Sequence, residues 1–135
     1  MKTKGFTLVE LLVVIAILAI LATVSVVGYT SFINDANNSV AMQELTQIRD
    51  AVIAEDINNN SIKLDSTGLL YKGEGETTYD AITDEEFTTL VSGMNLGLTF
   101  TADSFTVDAN GVITYKASND GLADWNTKTG KVTAK

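Results

Sequence analysis

The sequence contains no cysteine, no histidine and no proline. Without cysteine there is no disulfide framework and no thiol chemistry. Without histidine the commonest general base and metal ligand is missing. Without proline nothing in the chain forces a sharp break in a helix. Aromatic residues are sparse, at 7% of the 135 positions. Positive charge is sparse as well: 9 Lys and Arg stand against 17 Asp and Glu, for a formal net charge of −8. An acidic surface repels phosphate backbones, so no direct nucleic-acid binding is expected. The ordinary meaning of such a charge is solubility in water. There is no Ser–His–Asp set, no phosphate-cradling glycine loop and no metal motif, so no enzymatic activity is expected.

What the chain has instead is a long apolar run with a carboxylate at its start. Residues 11–34 carry no charge, about 24 positions or roughly 36 Å of helix, enough for a bilayer core of ~30 Å. Glu10 stands just inside this segment. An ionisable group in such a place is a functional-site hypothesis whose partner must be named. The plainer reading is a juxtamembrane glutamate that reaches back to the interface. Ahead of it lies Met1-Lys2-Thr3-Lys4-Gly5, a short basic head of the kind that stays on the cytoplasmic side. A conventional secretory signal would show a shorter apolar core followed by a small-residue cleavage site. Here the run continues through Val24, Val26 and Val27, and the best such site, Thr23-Val24-Ser25, is poor. An uncleaved single-span anchor is the other reading of these residues.

The block Lys4-Gly5-Phe6-Thr7-Leu8-Val9-Glu10-Leu11-Leu12-Val13-Val14-Ile15-Ala16-Ile17-Leu18 closely resembles the N-terminus of the type IV pilin family, which includes the pseudopilins of type II secretion. The resemblance implies a leader peptide over residues 1–5, a hydrophobic membrane and filament-core helix over 6–29, and a globular pilin portion over 30–135. It implies that a prepilin peptidase cuts between Gly5 and Phe6 and methylates the new amine of Phe6. Glu10 then has the position of the family's assembly glutamate, four residues after the mature start. The implied life history is a single-pass precursor in the inner or cytoplasmic membrane, then a homo-oligomeric helical filament outside the cell. The pilus assembly platform and its ATPase are the implied partners. The implied function is that of a pilin, the major one, in adhesion, twitching motility, biofilm formation or DNA uptake. The alternatives are a pseudopilin of a short piston-like secretion fibre, or a minor pilin.

Two departures from the family pattern stand out. Many pilins close a loop near the C-terminus with a disulfide, which this chain cannot form. Many also carry a proline where Val27 and Gly28 stand here. Gly28, flanked by β-branched residues, is the weakest helical point and the candidate for the local melting known in pilin filaments.

The physics of assembly can be stated independently of the resemblance. A cut chain presents a cationic Phe6 amine and an anionic Glu10, both entering a low-dielectric helix bundle. A lone buried charge costs several kcal/mol and a paired one recovers much of that. A wrong stagger leaves both unpaired, so the pair specifies register. Such a contact is heterologous and does not close, which produces a helical filament.

The expected fold is α+β, a long N-terminal helix packed on a C-terminal antiparallel sheet of four or five strands. The helix is predicted from Phe6 to about Ile57, with Asn58-Asn59-Asn60 as its stop. Its second half is amphipathic: Ile33, Ala36, Val40, Leu45, Ile48, Val52 and Ile57 form the apolar stripe, and Asp35, Asn38, Gln43, Asp50 and Glu55 the polar side. Residues 61–81 read as a polar connector, with Gly73-Glu74-Gly75-Glu76 an exposed turn. Thr83 and Glu86 form a capping box for a short helix ending at Gly93, with Phe87, Leu90 and Val91 on its apolar face. That role also accounts for the acidic Asp84-Glu85-Glu86 cluster, whose other reading is a cation site. Strands are predicted at Leu98, Phe100 and Ala102, at Phe105 and Val107, and at Val112-Ile113-Thr114-Tyr115-Lys116. Two more carry Trp125 and Val132. Turns fall at Asn110-Gly111, Asp120-Gly121 and Thr129-Gly130. No cofactor is expected. Calcium, which pseudopilins similar at the N-terminus bind near the C-terminus, would have Asp108, Asp120 and Asp124 as its only donors here, and ordinary turns account for these residues.

Overall fold

Helix α1 runs Leu8–Asn58 and begins where a threonine caps it. The computed structural model describes residues 5–58 and 61–135. The predicted start at Phe6 is two residues early, because the Thr7 carbonyl accepts the first helical bond from Leu11 N–H at 3.2 Å. Of the predicted stop, Asn59 and Asn60 lie outside the described residues, as does the side chain of Ile57.

The chain divides into two compact units, Met1–Asp35 and Ala36–Lys135. In the first unit the large apolar side chains, among them Leu11, Val14, Leu18 and Leu21, are exposed. α1 is long and apolar enough to cross a bilayer.

The second unit owes its core to one seam of α1. Ala41, Leu45, Ile48 and Val52 are fully buried, at spacings of four, three and four residues. Val40 was expected on this seam but is 41% exposed. The step from 40 to 45 turns the helix by about 140°, so Val40 and Leu45 cannot share a face. Ile33 and Ala36 are exposed as well. Asn38, expected on the solvated side, is instead a tie: its Oδ1 accepts from Leu122 N–H at 2.9 Å and its Nδ2 donates to the Lys135 carbonyl at 2.9 Å.

The segment 61–81 is not a plain connector. It contains β1 (Ile62–Asp65), β2 (Gly68–Tyr71) and β3 (Asp80–Ala81), a three-stranded antiparallel sheet in that order. The β1–β2 turn is held by Asp65, whose carboxylate accepts from the Thr67 hydroxyl and N–H. Those bonds, the hydroxyl's first, hold the Asp65 carboxyl below its ordinary range. The turn at Gly73–Glu76 forms as predicted, with Glu76 N–H on the Gly73 carbonyl.

Helix α2 (Asp84–Ser92) carries the predicted box: Thr83 N–H donates to Glu86 Oε2 at 2.9 Å and Glu86 N–H to Thr83 Oγ1 at 3.3 Å. Gly93 is its C-cap. The alternation at Leu98, Phe100 and Ala102 does not make a strand. Leu98 and Phe100 pack on the core from irregular backbone, and a turn from Thr101 to Ser104 ends the segment. The sheet that follows has the four strands β4 (Phe105–Val107), β5 (Val112–Lys116), β6 (Leu122–Asn126) and β7 (Lys131–Ala134), in that order and antiparallel throughout. Gly111, at φ +79°, makes the predicted Asn-Gly turn.

Thus the α+β architecture is the one read from the sequence, with its core formed by the α1 seam, Phe87 and Val91 of α2, and Phe105, Ile113, Tyr115 and Trp125 of the sheet. The phenol of Tyr115 donates to Glu44 Oε2 at 2.7 Å, and burial, then this carboxylate, pushes its pKa well above the ordinary range. Just before β6 the chain passes close to α1 at Gly121, where a Cβ would lie 2.0 Å from the Asn37 carbonyl oxygen. Gly121→Ala is therefore expected to destabilise the fold by about 1–3 kcal/mol or more through overpacking against backbone. An unchanged urea midpoint for this variant would contradict the close approach.

Candidate processing and assembly site

The first described residues, Gly5, Phe6 and Thr7, are non-helical and exposed. Among the described residues, no group beyond its chain neighbours lies within 4 Å of the position a Cβ would take on Gly5. Phe6 is 89% exposed. The peptide bond between them is thus outside the helix, open on its Gly5 side, and in the non-helical backbone that proteolysis requires.

Immediately after it stands a second capping box. Thr7 N–H donates to Glu10 Oε2 at 3.1 Å, and Glu10 N–H donates to Thr7 Oγ1 at 3.2 Å. Two of the four unpaired N–H groups at the helix start are satisfied reciprocally. The carboxylate also lies at the positive end of the helix dipole. Thr7 is the capping residue that the sequence did not single out. Its signal was available: Thr7-Leu8-Val9-Glu10 has the same spacing as Thr83-Asp84-Glu85-Glu86.

Gly28 lies about five turns further along α1. It is helical and exposed, and no neighbouring group comes within 4 Å of its Cβ position. Around it three hydroxyls bond back to helix carbonyls: Thr23 to Ile20, Ser25 to Leu21, and Thr30 to both Val26 and Val27. The structure therefore brings Thr7 and Glu10 together directly after Gly5 and Phe6, and places Gly28 apart from them.

Several acidic residues of the second unit are engaged by neighbouring groups. Asp84 Oδ1 accepts from Val107 N–H at 2.6 Å. Asp108 Oδ1 accepts from Asn110 and Val112 N–H. Asp120 pairs with Lys116 at 3.5 Å, and Asp124 accepts from the Thr114 hydroxyl and pairs with Lys135 at 3.9 Å. Among the described residues no three acidic side chains stand together as a metal-holding group.

Residues 1–26 match the family described as the prokaryotic N-terminal methylation motif. The chain carries a class III signal peptide. This is the signal of type IV pilins and pseudopilins, and it supports a type IV pilin-like or pseudopilin precursor. The motif implies processing by a prepilin peptidase, and with the apolar α1 it fits a membrane-anchored precursor. Comparison with curated proteins gives no match, and comparison with solved structures gives none either.

Proposed function

We propose that the chain is the repeating subunit of a type IV pilus. A prepilin peptidase removes residues 1–5 between Gly5 and Phe6 and methylates the Phe6 amine. The mature chain waits in the cytoplasmic membrane through residues 6–29, then leaves it to enter an extracellular filament driven by an assembly platform and ATPase. Each subunit's Glu10 takes the charge of a neighbour's Phe6 amine, and the exposed apolar side chains of α1 bury one another in the filament core. The filament serves adhesion, twitching motility, biofilm formation or DNA uptake.

The single observation that carries this reading is Glu10 at the head of an apolar helix, inside a sequence that matches the methylation motif. The carboxylate is costly in a membrane segment unless a partner of opposite charge is provided. Gly28 is proposed as the place where α1 unwinds on assembly. In an apolar core any carbonyl freed by unwinding needs a donor. The hydroxyls of Thr23, Ser25 and Thr30 already sit on such carbonyls.

The cut is tested by Gly5→Ala, which is expected to leave the leader on and hold the chain in the membrane. Normal maturation of this variant, read by the mass of the protein, would count against the Gly5/Phe6 junction. The pseudopilin reading is separated by electron microscopy of the cell surface. Long fibres containing the native chain support the pilus, and secretion of a cargo protein without such fibres supports the piston.

A further inference from the structure

We propose that the outer edge of β7 is a docking edge for an extended acidic segment of another protein, which adds to the sheet as a further strand. The inference does not depend on the assembly reading. The larger sheet has β4 and β7 as its edges, and the two are finished differently. At β4 the outward Val107 N–H is taken by Asp84 Oδ1 at 2.6 Å, and α2 packs beside the strand. At β7 the Lys135 N–H donates to the Leu122 carbonyl at 3.1 Å, and Thr133 and Lys131 stand opposite Asp124 and Asn126. Bonded positions alternate in an antiparallel pair, so the N–H and C=O groups of Val132 and Ala134 point away from β6. Among the described residues no group is bonded to them. Ala134 is exposed and Val132 half-buried. An unpaired edge of this kind binds an extended segment by main-chain hydrogen bonds, and the side chains beside it select the partner.

Charge makes that selection here. Residues 127–135 carry three lysines and no carboxylate, whereas residues 73–115 carry eight carboxylates and no lysine or arginine. Lys128 and Lys131 are not ion-paired among the described residues, and Lys135 meets Asp124 at 3.9 Å. Both ends of the strand are tied to α1: Arg49 Nη1 donates to the Gly130 carbonyl at 3.1 Å, and Asn38 Nδ2 to the Lys135 carbonyl at 2.9 Å. The edge is therefore ordered before a partner arrives, which lowers the cost of binding. A second copy does not fit it. Two β7 edges paired antiparallel about Thr133 would set Lys131 against Lys135 on both sides, and like charges directly opposite are destabilising. The chain's own acidic stretch is not available as a strand either. Asp84, Glu85 and Glu86 lie in α2, and the turn at Gly73 bends back so that Glu76 N–H meets the Gly73 carbonyl.

The test uses the full chain in detergent micelles and a short capped peptide alternating glutamate with valine, followed through the amide resonances of β7. Val132 and Ala134 are expected to shift most. The acidic peptide is expected to bind about tenfold more tightly than its lysine counterpart, as a few exposed charge pairs allow. Lys131→Glu combined with Lys135→Glu is expected to abolish that preference. A peptide N-methylated on its edge-facing amides is expected not to bind. Ala134→Pro removes an outward N–H without touching the β6 ladder, and is expected to prevent binding at an unchanged melting temperature. If the proline variant does not fold, the methylated peptide decides the matter on the native chain. Unmoved Val132 and Ala134 amides, equal binding of the lysine peptide, or undiminished binding of the methylated one would each overturn the docking edge. Shifts of the same amides as the chain alone is concentrated would mean that a second copy covers the edge, which overturns the partner assigned here.

Discussion

A Glu10→Val chain, expressed as the only pilin, is expected to be cut and inserted normally and to yield no filaments. Valine lengthens the apolar run and adds a residue that helices in lipid accept readily, so anchoring does not suffer. The proposed cut lies outside α1, between two exposed residues. What is lost is the anion. A neighbour's cationic Phe6 amine would then enter the helix bundle unpaired, and a broken buried ion pair costs about 3–5 kcal/mol. That penalty recurs at every subunit of a polymer. In the proposed fibre it also removes a directional element from helices whose exposed Leu, Ile and Val side chains gain little by associating in lipid. The box with Thr7 sharpens the expectation, because valine also leaves the Thr7 N–H without its acceptor and frays the first turn. The measurement is fibre yield from sheared cells together with the N-terminal sequence of the membrane fraction. A normal yield would contradict the charge-register account.

Trp125→Ala is expected to destabilise the C-terminal unit by about 3–5 kcal/mol. Trp125 is fully buried, faces Ile113 and Val132 across the sheet, and has its ring 6.3 Å from that of Phe87. Phe87 in turn meets Phe105 edge-on at 4.8 Å, so the indole closes one end of an aromatic chain that links α2 to the sheet. Removing it opens a cavity that the flanking strands β5 and β7 and helix α2 are too firmly held to fill. Against a typical total of about 5–15 kcal/mol, such a loss is a large part of the stability of the fold. One detail makes the test specific. The indole Nε1 is buried and no described protein group accepts from it. Trp125→Phe removes that donor while keeping much of the ring, and is expected to cost clearly less than Trp125→Ala. An unchanged midpoint for the alanine variant would mean that Trp125 is not part of the core.

Much of this was legible in the residues because the signals are local. The apolar run, the Thr83–Glu86 box, the Gly93 cap and the Asn110-Gly111 turn each fit within a few positions, and each formed where it was read. The small sheet over 61–81 was missed for a different reason. Its strands are only four, four and two residues long, and its turn, Asp65-Ser66-Thr67-Gly68, is not one of the strong hairpin pairs. It is tied to the larger sheet by Thr127, whose hydroxyl accepts from Leu69 N–H at 3.3 Å and donates to the Gly111 carbonyl at 2.6 Å. No local pattern encodes a contact across 58 residues. The alternation at Leu98 and Phe100 misled because a segment draped over a core also buries every second side chain. At the candidate site, Glu10 was read for its charge, and its helix-starting role with Thr7 was overlooked because the apolar run dominates that stretch.

The most direct test of the central claim is the intact mass and N-terminal fragment spectrum of the native protein from sheared cell-surface material. The account predicts fibres whose subunits begin at a methylated Phe6, with residues 1–5 gone. A chain beginning at Met1 and confined to the membrane fraction would contradict it.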